Sequence, residues 1–260
     1  MNRFATLIDA LVFMPSRNGK IRLLADYFAT TPDPERGLAL AAMTGTLSFR
    51  EAKPAAVRDL VMTRVDPALF GWSYDFVGDL AETAALIWPA RPGVNRPPPS
   101  LSEVAEALAT ARRADVPSLL EGWLDALDSS GRYALLKLIT GSLRVGVSAR
   151  LAKTALAEWG GQEVGEIEEL WHGLAPPYLE LFAWLEGRAE RPAVAGTLGF
   201  RPLMLANPLD EADLAGLDPA DFRAEWKWDG IRVQVAGGTA GHGRLYSRTG
   251  DDVGGAFPDL

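Results

Sequence analysis

The sequence lacks cysteine altogether and has only two histidines, His172 and His242, in 260 residues. This excludes disulfides, Cys/His zinc sites, Fe–S clusters and thiol nucleophiles. No apolar run reaches the roughly 20 residues that a membrane span needs. The apolar stretch 4–14 is interrupted by Asp9 and lacks a small-residue cleavage site, which favours a core helix over a signal peptide. We therefore expect a cytoplasmic protein.

The chain also lacks an excess of positive charge, since its net charge is −8. Residues 1–199 hold 20 basic and 24 acidic residues, and residues 200–260 hold 6 and 10, so each part carries −4. Neither part is basic enough to attract a polyanion as a whole. Any surface for nucleic acid must therefore be a local patch.

Residues 1 to about 190 have the pattern of successive helices. A serine followed three residues later by glutamate, the capping box that starts a helix, occurs at Ser100 and at Ser118. A further helix is predicted to begin at Ser148 and to end at Gly160-Gly161. The segment 89–100 contains five prolines, which indicates a loop dividing the helical part in two.

The pattern changes near Pro192 and becomes a two-residue alternation in 224–236, which is typical of a strand. A second strand is predicted to begin at Leu245, and Asp229-Gly230 is expected to form a turn that joins two strands. These features indicate an α/β or β-rich domain. Only about 60 residues of it are present, which is too few for a sheet to close a core.

The segment 225–232, Glu-Trp-Lys-Trp-Asp-Gly-Ile-Arg, is the most informative one for chemistry. Lys227 lies between two tryptophans, and we expect it to be held near apolar surface. Desolvation and neighbouring cations lower the pKa of a lysine, and a neutral amine is a nucleophile. Arg232 and Arg248 are two cations that can grip phosphate beside it. The alternative is an ordinary hairpin with the lysine on its solvent face.

A second constellation is an acid-free stretch between Asp128 and Glu158 that contains five basic residues. Gly141 and Gly146 bracket a turn between two helices, and the helix start at Ser148 exposes backbone N–H groups that bind phosphate without reading sequence. The alternative is that basic residues collect at a helix C-terminus and on a solvated face. The predicted nucleic-acid-binding residues are Lys137, Thr140, Gly141, Arg144, Gly146, Ser148, Arg150 and Lys153. A weaker basic group, Arg17, Lys20 and Arg22, is a candidate extension of the surface.

Taken in order, these segments resemble the ATP-dependent DNA ligases, in particular the bacterial and archaeal type with a helical DNA-binding domain ahead of the catalytic core. Residues 137–151 are similar to a stretch of the family's DNA-binding domain, and 200–206 resemble the opening of its nucleotidyltransferase domain. Residues 225–232 match the nucleotidyl-transfer motif, and 247–258 match the motif that follows it. The resemblance covers the whole chain.

The resemblance implies a multi-domain protein: an all-α N-terminal DNA-binding domain, 1–195, followed by the start of an α/β, ATP-grasp-like nucleotidyltransferase domain, 196–260. The family's OB-fold and its metal-coordinating glutamate are expected beyond Leu260, so no metal ligand is assigned in this chain. We therefore expect this chain alone to bind DNA but neither to take up AMP nor to seal nicks.

The resemblance also assigns roles to single residues. Lys227 is the lysine that attacks the α-phosphate of ATP and carries AMP. Glu225 contacts the adenine, Trp226 belongs to the nucleotide site, Arg232 contacts nucleotide and nick, and Arg248 grips the ribose or the nick phosphate. AMP then passes to the 5′-phosphate of the nick, and the 3′-hydroxyl displaces it. Each of these steps uses Mg²⁺ and cationic side chains.

The implied substrate is nicked double-stranded DNA, with ATP and Mg²⁺ as cofactors. The implied setting is DNA replication, repair and recombination by a monomer associated with the nucleoid. RNA ligases, capping enzymes and NAD-dependent DNA ligases share the lysine chemistry. The long helical part speaks against the first two. NAD use would need a small nicotinamide-binding module in front, and we see no sign of one in this sequence. A non-catalytic DNA clamp or scaffold is the remaining alternative.

Overall fold

The chain folds as a succession of helices followed by a short antiparallel hairpin. The computed structural model describes residues 1–89, 96–141, 143–193, 199–201, 208–238, 243–248 and 250–259. Two compact units divide the chain: a helical unit, residues 1–164 with 174–192, and a hairpin unit, residues 165–173 with 193–260. The domain boundary predicted after residue 195 lies outside the described residues, as do residues 202–206 of the 200–206 segment.

The helices and strands are numbered here in chain order. The helical unit contains α1 (Asn2–Phe13), α2 (Arg17–Thr30), α3 (Glu35–Met43), α4 (Pro54–Met62), α5 (Pro67–Val77), α6 (Leu80–Ile87), α7 (Leu101–Thr110), α8 (Val116–Ala126), α9 (Ser129–Thr140), α10 (Ala149–Gly160) and α12 (Leu179–Leu185). Helix α11 (Val164–Leu170) leads into the hairpin unit, which also contains α13 (Glu211–Leu214), β1 (Val233–Gly237) and β2 (Gly243–Ser247).

The core of the helical unit is built from apolar residues at helical spacing. In α1, Phe4, Ile8 and Leu11 recur on one face and are buried. Helices α1 and α6 both pack against α9, and α2 packs against α10. The turn that joins α9 to α10 contains exposed residues, Gly141 and Arg144, and the buried Val145.

The two predicted capping boxes have different outcomes. Ser100 caps α7, with its side chain bonded to the Glu103 amide and the Glu103 side chain bonded back, so that prediction is confirmed. The prediction for Ser118 is wrong, because α8 already begins at Val116 after Asp115. Pro117 explains the earlier start, since its fixed φ and missing N–H suit the first helical turn.

In the hairpin unit, β1 pairs antiparallel with β2, from Val233 opposite Ser247 to Gly237 opposite Gly243. The predicted second strand is therefore confirmed, whereas the predicted strand 224–236 is regular only from Val233 onward. Asp229-Gly230 precedes β1, so the prediction that it joins two strands is wrong. The alternation also does not appear as a burial pattern, because Ile231 is 72% and Val235 73% exposed, whereas the buried residues of the hairpin, Leu245 and Tyr246, lie on β2.

Candidate functional site

The turn between α9 and α10 is shaped by two glycines in the left-handed region. Gly141 ends α9 with φ 68°, and Gly146 has φ 66°. Side chains other than glycine rarely adopt this conformation, so the two residues fix where the chain reverses. The predicted pair of glycines bracketing a turn is therefore confirmed.

Ser148 caps α10, and its Oγ accepts a hydrogen bond of 3.1 Å from the Leu151 amide. The predicted helix start is therefore confirmed. The amides of Ala149 and Arg150 have no acceptor within the helix, because the first amides of a helix lack a carbonyl four residues earlier. Together with the helix dipole, such amides favour an anion at this end.

An open cavity of about 640 Å³ lies at this turn. Two exposed arginines face it, Arg17 at the start of α2 and Arg144 in the turn, together with Ser148. No acidic residue lines it among the described residues, so its charge is positive. Its lining residues are Arg17, Leu143, Arg144, Gly146, Val147, Ser148 and Leu151. The site thus combines guanidinium groups with a helix N-terminus, which suits a phosphate.

The three residues of the weaker basic group, predicted as a candidate extension of this surface, differ in their positions. Arg17 lines the cavity. Lys20 is half-buried, and its Nζ donates a hydrogen bond of 2.6 Å to the carbonyl oxygen of Val145 in the turn. Arg22 is exposed and is not among the residues that line the cavity.

Two predicted DNA-binding lysines point inward, and this corrects the sequence-based expectation that the whole basic stretch lies at the surface. Lys137 is 7% exposed and Lys153 is 6% exposed. The physical reason is their place on the buried faces of α9 and α10, where the neighbours Leu136 and Leu138 are buried as well. Charge alone does not reveal which face a residue occupies.

Lys137 forms an ion pair instead, with its Nζ 2.5 Å from Asp79 Oδ2. Burial alone would raise the pKa of Asp79, but hydrogen bonds from Lys137 and from the Glu82 amide outweigh burial and hold that pKa below its ordinary value. Thr140 is half-buried, and its hydroxyl lies 3.5 Å from the carbonyl oxygen of Lys137. The other five predicted residues, Gly141, Arg144, Gly146, Ser148 and Arg150, are exposed.

The residues predicted for the nucleotide site are all exposed and lie in the hairpin unit. Lys227 belongs to a segment, 222–232, without helix or strand, and Trp226 beside it is 88% exposed. The expectation that the lysine lies near apolar surface is therefore wrong for the described residues. Adjacent tryptophans desolvate a lysine only when other layers of structure hold them against it. Glu225 is exposed in the same segment.

The hairpin register brings the two predicted phosphate-binding arginines to one end of the sheet. Since Val233 pairs with Ser247, Arg232 and Arg248 are the next residues outward on the two strands. Beyond β2, the Asp251 amide donates a hydrogen bond of 3.0 Å to Ser247 Oγ. This arrangement suits a phosphate, because two exposed guanidinium groups project from neighbouring chain segments.

In the part of the chain that the structure describes, no group of three or more acidic or histidine side chains lies close enough together to hold a metal ion. Within the same residues, no helix is long and apolar enough to cross a membrane.

The model of a family described as ATP dependent DNA ligase domain matches residues 203–260. A probable DNA ligase from Koribacter versatilis is 27% identical over 275 residues, and a DNA ligase from Pyrobaculum arsenaticum is 29% identical over 286 residues. These alignments cover 100% and 99% of the chain but only 47% and 48% of the relatives.

A probable DNA ligase from Anaeromyxobacter is 31% identical across 62% of the chain and 31% of the relative. The chain thus spans about half the length of the first two relatives, and similarity extends through both of its units. The predicted resemblance to the ATP-dependent DNA ligases is confirmed: the chain is similar to DNA ligases along its whole length and to the ATP dependent DNA ligase domain over residues 203–260.

Proposed function

We propose that the helical unit binds the sugar-phosphate backbone of nicked duplex DNA at the turn between α9 and α10. The observation that carries this proposal is the cavity where Arg17 and Arg144 meet the N-terminus of α10 without an acidic lining residue among the described residues. Protein groups that bind the sugar-phosphate backbone position a protein on DNA and do not read bases. Arg150, exposed in the first turn of α10, extends the same surface.

For the hairpin unit, the proposed chemistry is transfer of AMP through the amine of Lys227. In its neutral form this amine forms a P–N bond to the α-phosphorus of ATP, pyrophosphate leaves, and the amine loses a proton. Arg232 and Arg248 would spread the phosphoryl charge from one end of the hairpin. In the family reaction, the adenylate next passes to the 5′-phosphate of the nick, and the 3′-hydroxyl displaces AMP. Mg²⁺, when bound, would neutralise phosphate charge, and the described residues supply no ligand cluster for it.

The proposed substrate, nicked DNA, also suggests the cellular processes in which the protein takes part. A protein that seals nicks serves replication, repair and recombination, and its DNA substrate places it at the nucleoid. We propose that it acts as a monomer, because one copy carries both the phosphate-binding turn and the lysine.

The DNA surface is tested by titrating fluorescent nicked duplex with the chain across a salt series. Neutralising Arg144 and Arg150 to methionine should weaken binding and lower the slope of log K against log salt by about 0.9 for each phosphate that the protein no longer neutralises. Arg112 and Arg113 are exposed elsewhere in the helical unit, so their double methionine variant is a control with the same change of charge. Equal weakening in both variants, or salt-independent binding by wild type, would refute the surface.

A non-catalytic DNA clamp is the second candidate, favoured by the full exposure of the segment around Lys227. Incubation with α-labelled ATP and Mg²⁺ tests the chain itself, for which we expect DNA binding without covalent label. Joined to the second half of the Koribacter relative, the chain should seal nicks, and Lys227→Ala should abolish sealing while nick binding persists. Sealing that survives Lys227→Ala would exclude the transfer role.

A further inference from the structure

Lys20 ties helix α2 to the turn that carries the proposed phosphate site. Its Nζ donates a hydrogen bond of 2.6 Å to the carbonyl oxygen of Val145, a residue 125 positions away in the sequence. Val145 is 4% exposed, so its carbonyl lies in a partly buried setting. A charged donor in such a setting forms a stronger hydrogen bond than a neutral one.

The ammonium group lies directly against Gly146. A Cβ atom built on Gly146 would come within 2.3 Å of Lys20 Nζ, and the residue also has φ +66°. Position 146 favours glycine because of its left-handed backbone, and a Cβ there would also push the end of the Lys20 side chain away from the turn. The lysine and the glycine fit together at the point where the turn begins to lead into α10.

The neighbours of this hydrogen bond are the groups that face the cavity. Arg144 precedes Val145, and Ser148, two residues after Gly146, caps α10. Lys20 itself is not among the residues that line the cavity, because its Nζ is directed to the Val145 carbonyl. A group that fixes Val145 and Gly146 therefore fixes how Arg144 and the α10 N-terminus are placed relative to each other.

We propose that Lys20 is a positioning residue of the DNA surface: it holds the turn so that Arg144 and the first amides of α10 face one phosphate. This inference rests on the proposed function, since it assigns Lys20 a role in that same site. Lys20 acts through the turn and does not itself touch the phosphate.

The first measurement compares Lys20→Met with Arg22→Met for binding to nicked duplex DNA. Both substitutions remove one positive charge from α2, and Arg22 is exposed but is not among the residues that line the cavity. We expect Lys20→Met to weaken binding about tenfold or more, because a misplaced Arg144 loses its charge-assisted hydrogen bond to the phosphate. Arg22→Met should change binding by less than about threefold, because salt screens an exposed charge that does not line the cavity. Urea unfolding of each variant checks that the helical unit is folded.

The second measurement is a double-mutant cycle that combines Lys20→Met with Arg144→Met and measures the binding of nicked duplex DNA. A substitution that only destabilised the fold would not make the effects of the two substitutions on binding non-additive. If Lys20 places Arg144, the effects of Lys20→Met and Arg144→Met do not add, since a misplaced Arg144 contributes little binding that can still be removed. Arg22→Met and Arg144→Met should add. Lys20→Gln, which removes the ammonium by a different substitution, must give the same non-additivity and replaces Lys20→Met if that variant does not fold.

Additive effects in the Lys20 cycle, or equal binding by the Lys20 and Arg22 variants, would overturn the positioning role. In that case wild type would still bind DNA with a steep salt dependence, and Arg144→Met would still weaken it, so the proposed surface would stand. Absence of salt-dependent binding by wild type would instead remove the surface itself, and the role of Lys20 with it.

Discussion

Arg36 forms hydrogen bonds to three different residues within the helical unit, and its substitution gives the sharpest stability prediction. It is 4% exposed. Its guanidinium donates to both carboxylate oxygens of Asp33 at 2.8 Å, to Glu186 at 2.6 Å and to the carbonyl oxygen of Phe28 at 3.1 Å. It also lies 4.4 Å from the ring centroid of Phe182 in α12. One side chain thus joins α2, α3 and the end of α12.

Arg36→Met keeps most of the apolar stem and removes the charge. Removing one partner of a buried pair costs about 3–5 kcal/mol, because the other charge is left unpaired. The side chains of Asp33 and Glu186 are each 27% exposed, so water compensates part of that cost and the lower end of the range applies. Removal of the cation–π interaction adds about 1 kcal/mol. We expect the free energy of unfolding to fall by about 4 kcal/mol in total.

The assay is urea unfolding followed by circular dichroism. With a denaturant slope of about 2.5 kcal/mol per M, the midpoint should fall by about 1.6 M. Arg112→Met is the matched control, since Arg112 is an exposed arginine paired with Asp115 at 2.8 Å. Exposed pairs contribute about 0.5 kcal/mol or less, so the control midpoint should hardly move. Similar midpoints for the two variants would refute the reasoning.

The same variant has a pH signature. The hydrogen bond from Arg36, opposed by burial and supported by Arg188, lowers the pKa of Glu186 from 4.5 to about 2. A carboxyl whose folded pKa is depressed stabilises the fold above its unfolded pKa, and this stabilisation is lost as pH falls. Wild-type stability should therefore decline between pH 4.5 and about 2, and Arg36→Met should show a shallower decline in that window.

Two further substitutions test the interior of the helical unit. Lys137→Met removes the ion-pair partner of the partly buried Asp79 and should lower the free energy of unfolding, measured in urea, by about 3 kcal/mol. The dependence of DNA binding on salt should stay unchanged, because Lys137 is buried. A lower slope of log K against log salt would show that Lys137 does contact DNA. Gly37→Ala would place a Cβ 1.7 Å from the carbonyl oxygen of Pro177 and should cost about 3 kcal/mol, whereas Gly71→Ala in α5 meets nothing within 4 Å and should stabilise by about 0.5 kcal/mol. Equal melting temperatures for the two alanine variants would contradict the close approach of Pro177 to Gly37.

The local features of the helical unit were predictable from the sequence. The Ser100 capping box, the Ser148 cap and the glycines at 141 and 146 act on neighbours within a few residues, so their effect is readable from spacing alone. Ser118 is the exception, because Pro117 supplied a competing start signal in the same turn. The family resemblance was predictable for the same reason, since its motifs are short and ordered.

The orientation of the charged side chains was decided by the tertiary structure. Lys137 and Arg144 are seven residues apart in one acid-free stretch, yet one is buried against Asp79 and the other faces a cavity. Which face of a helix is covered depends on the neighbours packed against it, and these come from distant segments. The hydrogen bond of Lys20 to Val145, across 125 residues, is of that kind. The exposure of Lys227 likewise depends on whether residues from other parts of the sequence pack against its segment.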